Sequence, residues 1–141
     1  MSRLTKKTYW IYGIGVSYFI LDQLYNQWLS YYYLPPATEK FLVPLLKPEY
    51  LVMAYLFARL IDAISDPLVG YWSDNSKSKF GKRSFFMMIG GLPLGILMIM
   101  YFFPPKESQM LTLIYLSVVG GLFFTAYTLV GGPYNALIPD L

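Results

Sequence analysis

YLFARLIDAISDPLVGYWSDNSKSKFGKR, residues Tyr55 to Arg83, sets an arginine and two aspartates inside an apolar run, then an aspartate, then a basic loop. Read as one helix from Tyr55 to Trp72, it spaces Arg59, Asp62 and Asp66 at i, i+3 and i+7. That spacing puts all three on one stripe, with Tyr55 and Gly70 close to the same line.

In a membrane this stripe is expensive. An Arg or Asp near the bilayer centre costs roughly 2.5–3.5 kcal/mol to insert, so three cost about 8–10 kcal/mol. Neighbours such as Leu56, Phe57, Leu60, Ile61 and Ile64 each return only about 0.3–0.6 kcal/mol. The helix is therefore expected to face protein or water, with Arg59 compensating the carboxylates. A cation or proton site accounts for both aspartates. A structural ion pair pinning two helices accounts for Arg59 and one aspartate, and leaves the other without a role.

The rest of the chain says what surrounds this helix. Of 141 residues, 56% are hydrophobic and 19% aromatic, and the 13% that are charged are about half the share of soluble domains. The composition is that of a multi-pass, all-α membrane protein. There is no Cys and no His, which excludes disulfides, thiolate or His-based catalysis and the common zinc sets, and points away from an enzyme. The small basic surplus is clustered and speaks to membrane orientation rather than nucleic acid. The start MSRLTKKTYW has the charge order of a signal peptide. The apolar run continues to Tyr33, however, without a small-residue cleavage site, and reads as a retained helix.

Four apolar segments are each long enough to cross a hydrocarbon core of about 30 Å: 9–33, 50–72, 85–103 and 110–137. Strand-like alternation is absent. Seven basic residues (Arg3, Lys6, Lys7, Lys77, Lys79, Lys82, Arg83) lie at the amino terminus and in the second connection. The first and third connections hold three, Lys40, Lys47 and Lys106. The excess of Lys and Arg marks the cytoplasmic side, so the amino terminus is expected inside an inner or plasma membrane.

The first segment is unusually polar. Asp22, Asn26 and Ser30 fall at i, i+4 and i+8, with Tyr18, Tyr25 and Tyr33 on or beside that side. Carboxylate and amide beside aromatic rings suit a polar ligand with an apolar ring face, such as a sugar. Tyr18, Asp22, Tyr25 and Asn26, with Tyr127 of the fourth segment, are the candidate substrate-facing residues. The same polar groups can instead tie neighbouring helices together. Tyr31-Tyr32-Tyr33 reads as an interfacial aromatic belt. Gly91 and Gly95 have the spacing that lets another helix approach closely, and Gly131-Gly132-Pro133 reads as a kink near the inner end of the fourth segment.

The pattern Arg59-x-x-Asp62-Ala63-x-x-Asp66-Pro67-x-x-Gly70, then Asp74, then Gly81-Lys82-Arg83, resembles the glycoside-pentoside-hexuronide:cation symporter family of the major facilitator superfamily. Tyr31-Tyr32-Tyr33 and the run from Pro133-Tyr134 to Pro139 fit the same family, so the resemblance spans nearly the whole chain. It implies a transporter of a sugar or related small polar solute, coupled to sodium or protons and needing no other cofactor. It implies that Asp62 and Asp66 contribute to the coupling-cation site, with Arg59 as their charge partner. Gly70, Asp74, Gly81, Lys82 and Arg83 are similar to the superfamily's cytoplasmic loop motif between helices two and three, and imply a charge latch there. A plain topology signal accounts for the same loop charges.

Two positions depart from the family. Where its melibiose branch carries further acids in the first and fourth helices, this chain has Phe19 and Gly131, and Asp22 lies one turn beyond Phe19. The sugar pocket of that branch does not transfer intact, and a lipid-like substrate stays open. Such transporters build each half from inverted repeats. Four segments are then expected to be the amino-terminal part of a longer transporter, whose remaining helices are partners along with the bilayer and a small-molecule substrate. A small non-transporting membrane scaffold is the alternative.

Overall fold

The computed structural model describes residues 10, 13–39, 43–76, 78 and 83–136. Among these residues the secondary structure is helical, with no strand. Four helical stretches follow one another: α1 (13–33), α2 (Pro48–Asn75), α3 (Ser84–Met100) and α4 (Gln109–Asn135).

Local chemistry sets the helix starts. Pro48 stands at the first turn of α2, where its missing N–H is no loss, after an extended Lys47. Ser108 caps α4 by accepting from the Leu111 N–H at 3.1 Å. The Thr112 hydroxyl lies 2.7 Å from the carbonyl of Pro105 and 3.0 Å from that of Ser108, holding the preceding turn against the helix.

α1 departs from the regular helix read in the sequence. Val16–Tyr18 is 3₁₀, Phe19–Gln23 is α, Leu24–Leu29 is π and Ser30–Tyr33 is α again. Its own polar side chains supply a cause. The Asn26 amide donates to the Asp22 carbonyl at 2.9 Å, and the Ser30 hydroxyl to the Asn26 carbonyl at 3.0 Å. Each takes an oxygen that an α-helix reserves for a backbone N–H, so the ladder widens there.

α4 is the central helix and packs against both α2 and α3. Glycine permits the close approach to α2. A Cβ on Gly120 would lie 3.0 Å from the Ala58 Cβ and 3.0 Å from the Tyr101 hydroxyl, and one on Gly121 would lie 3.2 Å from Ile61. The core around this contact is aromatic. Tyr25, Tyr101, Phe123 and Phe124 are buried together, with the Tyr25 ring stacked on Phe123 at 5.4 Å and edge-on to Phe124 at 4.8 Å.

Two packing expectations are corrected. Gly91 and Gly95 face open space, and it is Gly90 that lies against α4, where a Cβ would come 2.7 Å from Leu129. An offset of one residue, about 100° of helix phase, moves the small-residue contact from one glycine to its neighbour. In the tyrosine run, only Tyr31 is exposed. Tyr33 is fully buried and donates to the Tyr101 carbonyl at 2.7 Å, while Tyr32 donates to the Phe102 carbonyl at 3.0 Å. These two clamp the turn that follows α3, whose carbonyls lie beyond the helix ladder.

Among the described residues, one helix, Gln109–Asn135, is long and apolar enough to cross a membrane by length and composition. α3 is apolar but only 17 residues, about 26 Å long. α2 has 28 residues, about 42 Å, but Glu49, Arg59, Asp62, Asp66 and Asp74 lie along it. It has the length of a span and carries the charges of a site. Pro67, Pro93 and Pro133 sit inside α2, α3 and α4, and each helix continues past its proline.

Candidate functional site

The charged stripe of α2 meets α1 on one side and α4 on the other. Arg59 Nη1 lies 3.3 Å from Asp62 Oδ2, one turn along the same helix, and Nη2 lies 3.8 Å from Asp22 Oδ1 on α1. Nη2 also donates to the Asn26 side-chain oxygen at 3.5 Å. The guanidinium carbon stands 4.3 Å from the centre of the Phe124 ring, a cation–π contact from α4. One turn further out, the Ser30 and Tyr55 hydroxyls are 2.9 Å apart and tie α1 to the same stripe.

The second half of the cluster is built on α4. The Thr128 hydroxyl lies 2.7 Å from Asp66 Oδ1 and 3.3 Å from Asp62 Oδ1. It has one hydrogen to give, so its shorter bond to Asp66 leaves the second carboxylate close but only partly satisfied. Ser65 is turned away, its hydroxyl donating to the Asp62 carbonyl at 3.1 Å. Asp62, Asp66 and Thr128 thus converge three hard oxygens, the donor type that suits alkali and alkaline-earth ions. The same pair of carboxylates can hold one proton. Among the described residues, no group of three or more His, Cys, Asp or Glu is set to hold a metal ion.

The cluster is charged overall. Asp22, Asp62 and Asp66 outnumber Arg59, which leaves two negative charges. Its face is also open: the Arg59 side chain is 49% exposed and Asp66 is exposed, whereas the Asp22 and Asp62 side chains are only 23% and 20% exposed. A half-open charged face on an otherwise apolar bundle is costly in lipid.

The structure distributes the sequence candidates unevenly. Arg59, Asp62, Asp66, Asp22 and Asn26 meet in one network. Tyr18 and Tyr127 form a separate ring pair 5.2 Å apart, with Phe19 stacked on Tyr18 at 4.7 Å. The Tyr18 ring lies against Gly131, where a Cβ would come within 3.0 Å of it, and its hydroxyl donates to the Asn135 side chain at 3.4 Å. Tyr25 is 2% exposed and lies in the aromatic core behind Phe124, away from the open face. It lies in the π turn Leu24–Leu29, with the rings of Tyr55, Tyr101, Phe123 and Phe124 around it. Thr128 is the residue the sequence did not single out. The glycine pair at Gly120 and Gly121, two turns earlier, was the one signal that α2 comes close to this face of α4.

At the opposite end of α2, Arg83 Nη2 lies 3.7 Å from Asp74 Oδ1, and Arg83 also donates to the Ala136 carbonyl at the end of α4. Gly70 faces open space. Gly81 and Lys82, which complete the loop motif, lie outside the described residues, as do Lys77 and Lys79.

Comparisons with known proteins identify the family. A family described as MFS/sugar transport protein matches residues 11–141. The inner membrane symporter YicJ of Escherichia coli K12 is 32% identical over 128 residues, covering 89% of this chain and 26% of that protein. The putative glycoside/cation symporter YagG of the same organism is 34% identical over 83 residues, 59% of this chain and 18% of that one. The uncharacterized symporter YnaJ of Bacillus subtilis 168 is 36% identical over 83 residues, with the same 59% and 18%. The chain spans about a quarter of the length of YicJ and less of the others. No solved structure matches it.

Proposed function

The chain belongs to the MFS/sugar transport protein family, a family of membrane transporters and not of enzymes, and from that premise we propose that it forms the cation-binding part of a symporter. The solute is a sugar or a related small polar molecule, and the coupling ion is Na+ or H+. Asp62 and Asp66 hold the ion and Thr128 supplies a third oxygen. The observation that carries this reading is the Thr128 hydroxyl set between the two carboxylates, 2.7 and 3.3 Å from them.

The four helices span the membrane with the amino terminus in the cytoplasm, a topology supported by the clustering of Lys and Arg in the amino terminus and the second connection. Further helices cover the open face of the cluster, as the burial cost of three carboxylates and a guanidinium demands. The solute binds beside Asp22, Asn26, Tyr18 and Tyr127. Ion and solute each tighten the other, which is the linkage that couples their fluxes. The gate is the rocking of one half of the transporter against the other, and Asp74 with Arg83 latches the cytoplasmic side.

The test is solute uptake into vesicles driven by a sodium or proton gradient. Asp62→Asn and Asp66→Asn are each expected to abolish the cation dependence. Uptake that stays cation-dependent at wild-type level in both variants contradicts the assignment.

A further inference from the structure

Arg59 lies between two carboxylates that do not belong to the same helix. Its Nη1 reaches Asp62 at 3.3 Å and its Nη2 reaches Asp22 at 3.8 Å, while Phe124 supports the guanidinium from below at 4.3 Å. One guanidinium thus serves both a carboxylate of the proposed ion site and a carboxylate of α1 outside it. Asn26 adds an acceptor on the α1 side at 3.5 Å.

We infer that Asp22 is a positioning residue for ion binding: it is the alternative dock for Arg59 when a monovalent metal cation takes Asp62. This inference rests on the reading of Asp62, Asp66 and Thr128 as the ion site. A cation seated on Asp62 Oδ1, the oxygen that faces Thr128, repels the guanidinium held on Oδ2 and draws the charge of Asp62 away from it. Without a second carboxylate, ion binding would leave Arg59 weakly paired at membrane depth, a costly state. Asp22 and the Asn26 oxygen already lie within reach, so a small rotation about the Arg59 side chain exchanges Asp62 for Asp22 and keeps the charge paired. The planar fork of arginine, with two separate amino groups, suits such a hand-over from one carboxylate to another. The Phe124 face accepts the guanidinium in either position.

The inference separates Asp22 from two simpler roles. A direct ligand or a bare long-range attraction to the cation acts whether or not Arg59 is present. A dock for Arg59 acts only through Arg59. A double-mutant cycle distinguishes them.

The experiment is equilibrium binding of radioactive Na+ to the purified transporter that contains this chain, in lipid nanodiscs, with thermal unfolding as a folding control. Asp22→Asn is expected to weaken Na+ binding about fivefold, the lower end of ordinary coupling between sites. Arg59→Gln alone is expected to tighten it, because the competitor is gone. In the Arg59→Gln background, Asp22→Asn is expected to change affinity by no more than about twofold, the scatter of independent sites. Asp22→Glu, which keeps the carboxylate, retains wild-type affinity and covers the case in which Asp22→Asn does not fold. An equal loss from Asp22→Asn with and without Arg59 overturns the inference, as does no loss at all or a loss in Asp22→Glu as large as in Asp22→Asn. Binding of neither Na+ nor Li+ by the wild type overturns this inference, while the ion-site reading itself stands or falls on the uptake test of Asp62→Asn and Asp66→Asn.

Discussion

Arg59 and Arg83 both pair with an aspartate of α2, at 3.3 and 3.7 Å, yet their surroundings give the two pairs different weight. Arg59 sits in the apolar middle of the helix, against an aromatic ring and between two carboxylates. Arg83 sits at the helix end, its side chain 24% exposed and held by the Ala136 carbonyl, while Asp74 is 65% exposed. A pair in water is worth about 0–1 kcal/mol and is screened by salt. At membrane depth each charge costs several times that to insert, so its partners decide whether the helix can be there at all. The lesson is that spacing on the helix matters less than the medium around it. The mid-helix cluster is expected to control ion binding, and the end pair to adjust conformation.

The sharpest way to break this contrast is to leave every charge in place and remove the hydroxyl between two of them. Thr128→Val keeps the shape of the side chain and loses the oxygen that sits between Asp62 and Asp66. Hydrogen bonds to charged groups are worth about 1.5–3 kcal/mol, so cation affinity is expected to fall about tenfold or more. Thr128→Ser is expected to retain it. Titration of both variants with Na+ decides the matter, and equal affinity in Thr128→Val removes Thr128 from the site.

A smaller effect is expected from moving α2 bodily. A Cβ added at Gly121 lies 3.2 Å from the Cγ1 of Ile61, the residue before Asp62. Gly121→Leu is expected to destabilise the bundle by about 1–3 kcal/mol, as overpacking does, and to weaken ion binding along with it. Gly95→Ala on α3 meets nothing within 4 Å and is the control. Its stability is expected to hold, or to rise by about 0.5–1 kcal/mol. Unfolding midpoints in detergent, measured side by side, give the comparison.

The smallest effect is expected at the end pair. Asp74→Asn is expected to cost no more than about 1 kcal/mol of stability, and less in high salt. Its signature lies elsewhere, in altered labelling of cysteines placed along the cytoplasmic side. Unchanged labelling with normal topology reduces the loop charges to an orientation signal.

The sequence was most informative where a charge interrupts an apolar run. The spacing of Arg59, Asp62 and Asp66 named one face of one helix, and the family pattern named the same residues. The apolar segments read from 50 and 110 missed the helix starts at Pro48 and Gln109, because the proline and the Ser108 cap that set them lie outside the apolar runs. What one helix does to another was not legible. Thr128 required knowing the register of α4 against α2, which depends on the approach at Gly120 and Gly121. The burial of Tyr25 required knowing which rings of other elements surround it, Tyr55, Tyr101, Phe123 and Phe124. Tyr32 and Tyr33 look like a membrane belt in sequence, because the pattern records the aromatic ring and not the hydroxyl's partner.

The most direct test of the central claim is ion binding to the purified transporter that contains this chain, Na+ followed by calorimetry and H+ by proton uptake, compared with the Asp62→Asn, Asp66→Asn double variant at matched folding. The account predicts saturable binding by the wild type at one site and none by the double variant. The same binding in both would place the ion elsewhere and leave Asp62 and Asp66 as partners in helix packing alone.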